Sequence, residues 1–256
     1  MICRFKIYLI VFLTFCSQML IAQNQLNFRQ FRSETEDFFK QPSKWTGKDW
    51  SIIGLTATST LLLMQFDDEV RDQVLMTREN INNLPAELGR IWGEPYNTLL
   101  IGGVNALSGV LNNIYMNKKV AFEIYQSALY TGLTTMLLKT VLGRSRPYTN
   151  EGSFSFSPFN FSGDDEWSLP SGHTSLAFSL STVLSENSKN DWMKVLYYVP
   201  ALLTAYSRVY QDKHWLSDVF LGAVIGYTIG KWTVRIHEKN EGPVNPIPQF
   251  SFYIKF

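Results

Sequence analysis

Thiol chemistry is the first thing this sequence lacks. Its two cysteines, Cys3 and Cys16, both lie near the start of a 256-residue chain. They fall inside a stretch laid out as an export signal. Arg4 and Lys6 give a basic start, Ile7 to Leu20 an apolar core, and Ala22 precedes the polar Gln23-Asn24-Gln25. Cleavage after Ala22 leaves no cysteine, which excludes disulfides and a thiol nucleophile. A retained N-terminal anchor helix is the alternative reading, and Phe15 is too bulky to precede a lipidated cysteine. Charge is also scarce, with charged residues at 18% and a net charge of +1. Loss of Arg4 and Lys6 with the leader leaves 21 basic against 22 acidic residues, so no bulk charge argues for nucleic acid. Strand-rich regions, internal repeats and low-complexity tracts are missing. Long uninterrupted apolar runs are rare too, although hydrophobic residues reach 45% and mean hydropathy is −0.06. The composition sits between soluble and membrane classes.

What is present is a series of apolar segments of helical length. They run over Trp50–Phe66, Asn97–Met116, Val120–Leu142, Ser171–Leu184, Trp192–Ser207 and Lys213–Trp232. Loops rich in Gly, Pro, Asn and acids join them. This predicts an all-α bundle of about six core helices over 50–240, after a polar, amphipathic segment at 23–49. Within that segment Ser33-Glu34-Thr35-Glu36 has the form of a capping box. Phe28, Phe31, Phe38 and Phe39 then make one apolar face, either covering the core or lying on a membrane surface. The tail at 241–256 alternates like a strand and reads as a surface extension.

Histidine is rare as well, at three residues, and two of them sit in polar motifs. Lys139 ends a helix that Gly143 can cap, and Arg146-Pro147 follows. Pro170-Ser171-Gly172-His173 opens the next helix, with Ser171 at the N-cap and free amides aimed at an anion. Ser207-Arg208 precedes His214, which is expected in a first helical turn capped by Asp212. Asp218 lies four residues on, where its carboxylate can fix one imidazole tautomer. Each motif alone has an ordinary reading: a solvated basic helix end, a capped helix, a surface His–Asp pair. Metal binding is a weak rival, because the neighbours are Lys and Arg rather than carboxylates or thiols. Together, two imidazoles and three cations make a site for a tetrahedral oxyanion and proton transfer to it.

The ordered set Lys-x6-Arg-Pro, Pro-Ser-Gly-His and Ser-Arg-x5-His-x3-Asp resembles the type 2 phosphatidic acid phosphatase (PAP2) superfamily. That superfamily also holds class A acid phosphatases and vanadium haloperoxidases. The resemblance covers roughly residues 95–235. It implies that Lys139, Arg146 and Arg208 bind phosphate oxygens, with Ser171 and the Gly172 amide holding another. It implies that His214 is the nucleophile, Asp218 its orienting partner and His173 the general acid, with no metal or other cofactor. The implied substrate is a phosphorylated lipid or a small phosphomonoester, at a membrane surface or bilayer of the cell envelope. Phosphatidic acid, phosphatidylglycerol phosphate, polyprenyl pyrophosphate and lipid A phosphates are candidates. A non-specific periplasmic acid phosphatase, a vanadate-dependent haloperoxidase and an envelope protein with a degenerate site are the rivals.

Other residues receive plainer readings. Arg144 and Lys213 border the motifs and are expected to face solvent. Asp164-Asp165-Glu166 reads as a solvated loop. Phe154, Phe156, Phe159 and Phe161 either pack over the core or form a lip for an acyl chain. His237, near the end of the last helix, is explained by the helix dipole.

Overall fold

The structure is a computed structural model that describes residues 26–78, 83–161 and 163–240. The expected export signal and C-terminal tail lie outside the described residues. The fold is all-α, as expected. Its helices are α1 (Phe28–Lys44), α2 (Gly47–Met64), α3 (Asp67–Thr77), α4 (Leu84–Gly93) and α5 (Pro95–Leu111). They continue as α6 (Tyr115–Leu142), α7 (Gly172–Glu186), α8 (Asp191–Leu196), α9 (Tyr198–Tyr210) and α10 (Leu216–Asn240). Among the described residues β pairing is confined to one isolated bridge, Arg144 with Phe156.

Local chemistry explains most boundaries. The α1 start is Asn27, whose side chain accepts from the Gln30 amide at 2.9 Å. Ser33–Glu36 therefore lies inside α1 rather than at its start, and Glu34 is buried. Thr46 and Asp49 form the capping box that does occur, at α2. The residue after α6, Gly143, has φ 59° and bonds back to the Lys139 carbonyl at 2.8 Å. The helix expected over Trp192–Ser207 is two helices, α8 and α9. Pro200 has no amide to bond the Leu196 carbonyl, which ends α8 there.

The interior is unusually polar. The buried face of α7 carries Thr174, Ser175, Ser179, Ser181 and Thr182 beside Ala177, Leu180 and Val183. Gly222, Gly226 and Gly230 of α10 lie against its backbone at Ser171, Ser175 and Ser179. Small residues at this spacing let the two helices approach closely. A compact apolar cluster of Val120, Ile124, Leu180, Val183 and Val234 completes the core. The α1 phenylalanines divide between core and surface: Phe31 packs on Phe122 and Phe38 on Tyr130 and Trp232, whereas Phe28 and Phe39 are exposed.

Large apolar side chains instead line the outside. Leu100, Val104 and Leu111 of α5 and Leu133, Met136 and Leu137 of α6 are exposed. No described helix is long and apolar enough to cross a membrane.

Gly226→Ala is expected to destabilise the fold by about 1–3 kcal/mol, because its methyl would strike the Ser175 carbonyl and the Ser179 amide. Thermal unfolding reads this directly. Gly54→Ala, at a position with open space, is the control and should lose nothing.

The helix dipole alone does not account for His237. It is fully buried, its Nε2 3.1 Å from Glu34 and its Nδ1 3.6 Å from Glu123. This group ties α1 and α6 to α10, and burial of two carboxylates is what demands the imidazole there.

Candidate active site

The residues singled out from sequence converge at one end of the bundle. The last turn of α6 carries Lys139, the start of α7 carries Ser171, Gly172 and His173, and the last turn of α9 carries Arg208. The turn between α9 and α10 supplies His214, and the first turn of α10 supplies Asp218.

His214 is almost fully buried, and its amide bonds the Arg208 carbonyl at 3.2 Å. Its Nδ1 lies 3.5 Å from both Asp218 Oδ2 and Ser168 Oγ. The expected placement in a helical turn does not hold, since α10 begins at Leu216. Asp218 causes this: its carboxylate accepts from the Trp215 amide at 3.0 Å and caps the helix from within. Asp212 is not the cap. It adopts φ 60° and is gripped by Arg71 at 2.7 and 2.9 Å. Burial first, and then Lys139, Arg146, Arg208 and His173, hold the His214 pKa well below the usual imidazole value. The ring is therefore neutral at neutral pH.

Asp218 is fully buried and heavily engaged. It accepts from Arg144 Nη1 at 2.7 Å and from the Ser168 hydroxyl, and its backbone carbonyl accepts from the Ser171 amide at 3.0 Å. Arg144 does not face solvent. It is fully buried between Asp218 and Asp67, which lies 2.8 Å from Nη2, and it donates to the Ser153 carbonyl and Ser217 hydroxyl. Burial raises the Asp67 pKa against the pull of Ser217 and Arg144. Neither Asp67 nor its role is visible from sequence, because 77 residues separate it from Arg144.

The cations sit around the histidines. Lys139 Nζ donates to the Trp167 and Ser168 carbonyls, and burial lowers its pKa to about 7. Arg208 is 5% exposed, with burial lowering its pKa to about 10. It meets the Gln211 side chain, while its Nε has no hydrogen-bond partner. Arg146 holds Asp164 through Nη2 at 2.6 Å and through Nε to the Asp164 carbonyl at 2.7 Å. The acidic loop is thus pinned to the site rather than merely solvated, and Asp165 accepts from Tyr148 at 2.6 Å. Lys213 lies over the Tyr148 ring, 4.5 Å from its centroid.

Ser171 stands at the N-cap of α7, but its hydroxyl meets Thr174 Oγ1 at 3.0 Å instead of a backbone amide. His173 keeps about a third of its side chain exposed, and its Nε2 lies 3.4 Å from Glu94 Oε1. Burial, then Arg208, lower its pKa to about 4, and Glu94 opposes that shift. Sequence reading missed Glu94. The only local signal is its place between two helix ends, before Pro95. Phe154, Phe159 and Phe161 are exposed, Phe161 by 77%, whereas Phe156 also covers the buried Arg144, whose guanidinium lies 5.7 Å from its ring centroid.

Among the described residues no group of three or more His, Cys, Asp or Glu side chains is arranged to hold a metal ion. The arrangement offers one buried neutral imidazole, one accessible imidazole, and cations placed to attract an oxyanion.

Residues 121–241 match the family model of the PAP2 superfamily. Over 100 residues the chain is 36% identical to the lipid A 1-phosphatase of Porphyromonas gingivalis, covering 38% of this chain and 22% of that protein. Over 84 residues it is 37% identical to the undecaprenyl-diphosphatase of Sulfolobus acidocaldarius, covering 33% of this chain and 39% of that protein. The matched part spans well under half the length of either relative. The crystal structure of Aquifex aeolicus LpxE aligns at 25% identity with a TM-score of 0.39, covering 60% of this chain and 96% of that chain.

Proposed function

We propose that this chain, whose residues 121–241 match the family model of the PAP2 superfamily, is a metal-independent phosphatase acting on a lipid phosphate or pyrophosphate through a phosphohistidine. The observation that carries this is the buried, neutral His214, backed by Asp218 and set among Lys139, Arg146, Arg208 and His173.

Asp218 lies on the Nδ1 side of His214, which leaves Nε2 as the attacking nitrogen. Its lone pair forms a bond to phosphorus while the bond to the leaving oxygen breaks. His173 gives its proton to that oxygen. Lys139, Arg146 and Arg208, with the Gly172 amide and Ser171, stabilise the charge on the other phosphate oxygens. Water then attacks phosphorus, His173 takes up the proton, and the phosphorus–nitrogen bond breaks to release inorganic phosphate. The imidazolium character that His214 gains is offset by Asp218.

The lipid assignment rests on the apolar exterior of α5 and α6 and the exposed phenylalanines at 154–161. The relatives' names point the same way, to lipid A and undecaprenyl diphosphate. The corresponding place for the protein is the cell envelope, in contact with a lipid surface. Phosphate release from a panel of lipid phosphates and water-soluble monoesters tests the reading, with detergent-free and detergent-extracted fractions compared. Turnover of lipid phosphates is expected. Activity confined to soluble esters in the detergent-free fraction would replace the lipid assignment with a soluble acid phosphatase. Bromide oxidation with vanadate and peroxide would replace hydrolysis with haloperoxidase chemistry.

The pH dependence follows from the direction of the shifts. Both imidazole pKa values are depressed, His214 deeply and His173 to about 4. The rate rises as His214 loses its proton and falls as His173 loses its own, and Lys139 discharges around pH 7. The kcat/KM profile is therefore expected to be bell-shaped and centred in the acid range. Bound phosphate adds negative charge and raises the His173 pKa, so the falling limb of kcat should lie at higher pH than that of kcat/KM. A flat profile from acid to alkaline pH would contradict two-histidine chemistry.

A further inference from the structure

We infer that Glu94 is the positioning residue for His173: it holds Nε2–H of the imidazole and so sets the orientation of the ring beside Arg208 and Arg146. The inference rests on the general-acid role of His173 in the reading above.

Glu94 Oε1 is 3.4 Å from His173 Nε2. The backbone around it is fitted closely to the same histidine. A Cβ built on Gly93 would come within 3.0 Å of the His173 carbonyl and 3.1 Å of its Cβ. A larger residue at Gly93 would strike the Thr204 methyl of α9 first and press on His173 as well. Glu94 is in turn held by Arg90, 2.9 Å from the same Oε1, and Arg90 is paired with Glu87. The carboxylate thus reaches His173 from α4 with its position already set.

The charges facing His173 explain why such a partner is needed. Burial first, and then Arg208 of α9 and Arg146 of the loop after α6, disfavour its protonation, and Glu94 favours it. In the function proposed above these cations bind phosphate, yet they work against an acid on the leaving-group side. One carboxylate on the far nitrogen resolves the conflict. It also makes Nδ1–H the proton delivered, because Nε2–H is held. The same geometry serves the second half-reaction, in which the neutral ring takes a proton from water.

The test is Glu94→Gln in the full chain. The amide keeps the shape and the packing under Gly93 but removes the charge. Titration of the His173 ring by NMR, identified against His173→Asn, should move to lower pH by about one unit. This readout needs no turnover and stands even if the substrate assignment fails. In kinetics, release from an alkyl phosphate, a poor leaving group, should fall by about tenfold at neutral pH. Release from p-nitrophenyl phosphate, which needs little protonation, should change less than about twofold. The falling limb of the pH profile should shift to lower pH, and Glu94→Asp should restore part of it. An unmoved His173 titration would overturn the inference, as would an equal loss on both esters. Absence of phosphate release by the unaltered chain would instead count against the proposed function.

Discussion

His214→Ala is expected to lower phosphate release by at least about a thousandfold on every substrate in the panel. The magnitude follows from position rather than from residue type alone. The His214 ring proposed to attack is buried, neutral and backed by Asp218, and the described residues place only His173 as a second imidazole near it. His173 points its Nε2 at Glu94 and stands in the first turn of α7, so it cannot take over attack without giving up proton transfer. The variant should also lose any acid-labile, alkali-stable phosphoenzyme trapped by rapid quenching, which separates loss of a nucleophile from loss of substrate binding. Turnover within about tenfold of the unaltered chain would assign attack to another group. Because the alanine removes a neutral ring from a polar recess, it leaves no unpaired charge, and the fold should survive.

The second large effect concerns stability. Arg144→Met is expected to cost about 3–5 kcal/mol, because it strands Asp67 and Asp218, both fully buried, without their shared cation. For a chain of this size that corresponds to a fall in Tm of roughly 10 °C. Activity should drop in step even below the unfolding temperature, since Asp218 loses the contact that sets its carboxylate against His214. Asp67→Asn in the Arg144→Met background should recover part of the stability, as it removes one of the two stranded charges. An unchanged Tm in Arg144→Met would mean the pair is neutralised by other means, and the link from α3 to the nucleophile would fall with it.

Both predictions involve residues of very different visibility. His214, His173 and the three cations could be found from the chain alone, because anion chemistry needs those side chains at helix ends, and helix ends leave local marks such as Gly143 and Pro170-Ser171-Gly172. Arg144 sits two residues from Arg146 and looked like one more surface cation. Its burial depends on Asp67, and on Ser153, Ser217 and Trp215 folding around it. Glu94 and the Glu34–His237–Glu123 group failed to register for the same reason. Ion pairs between elements far apart in sequence have no period and no spacing. The placement of His214 was misjudged because i,i+4 spacing suggests a helix, whereas Asp218 reaches back to cap the helix instead.

By itself the sequence determined the all-α class, most helix positions, and the ordered motifs that carry the proposed chemistry. These depend on short-range properties: apolar periodicity, capping, and residue type at fixed spacing. Only the tertiary structure decided which cations are buried, which carboxylate faces which histidine, and that much of the apolar surface lies outside while serine, threonine and glycine line the helix contacts. The physical reason is that desolvation and pairing act on charges after packing has brought them together, and packing distance is not written in sequence separation.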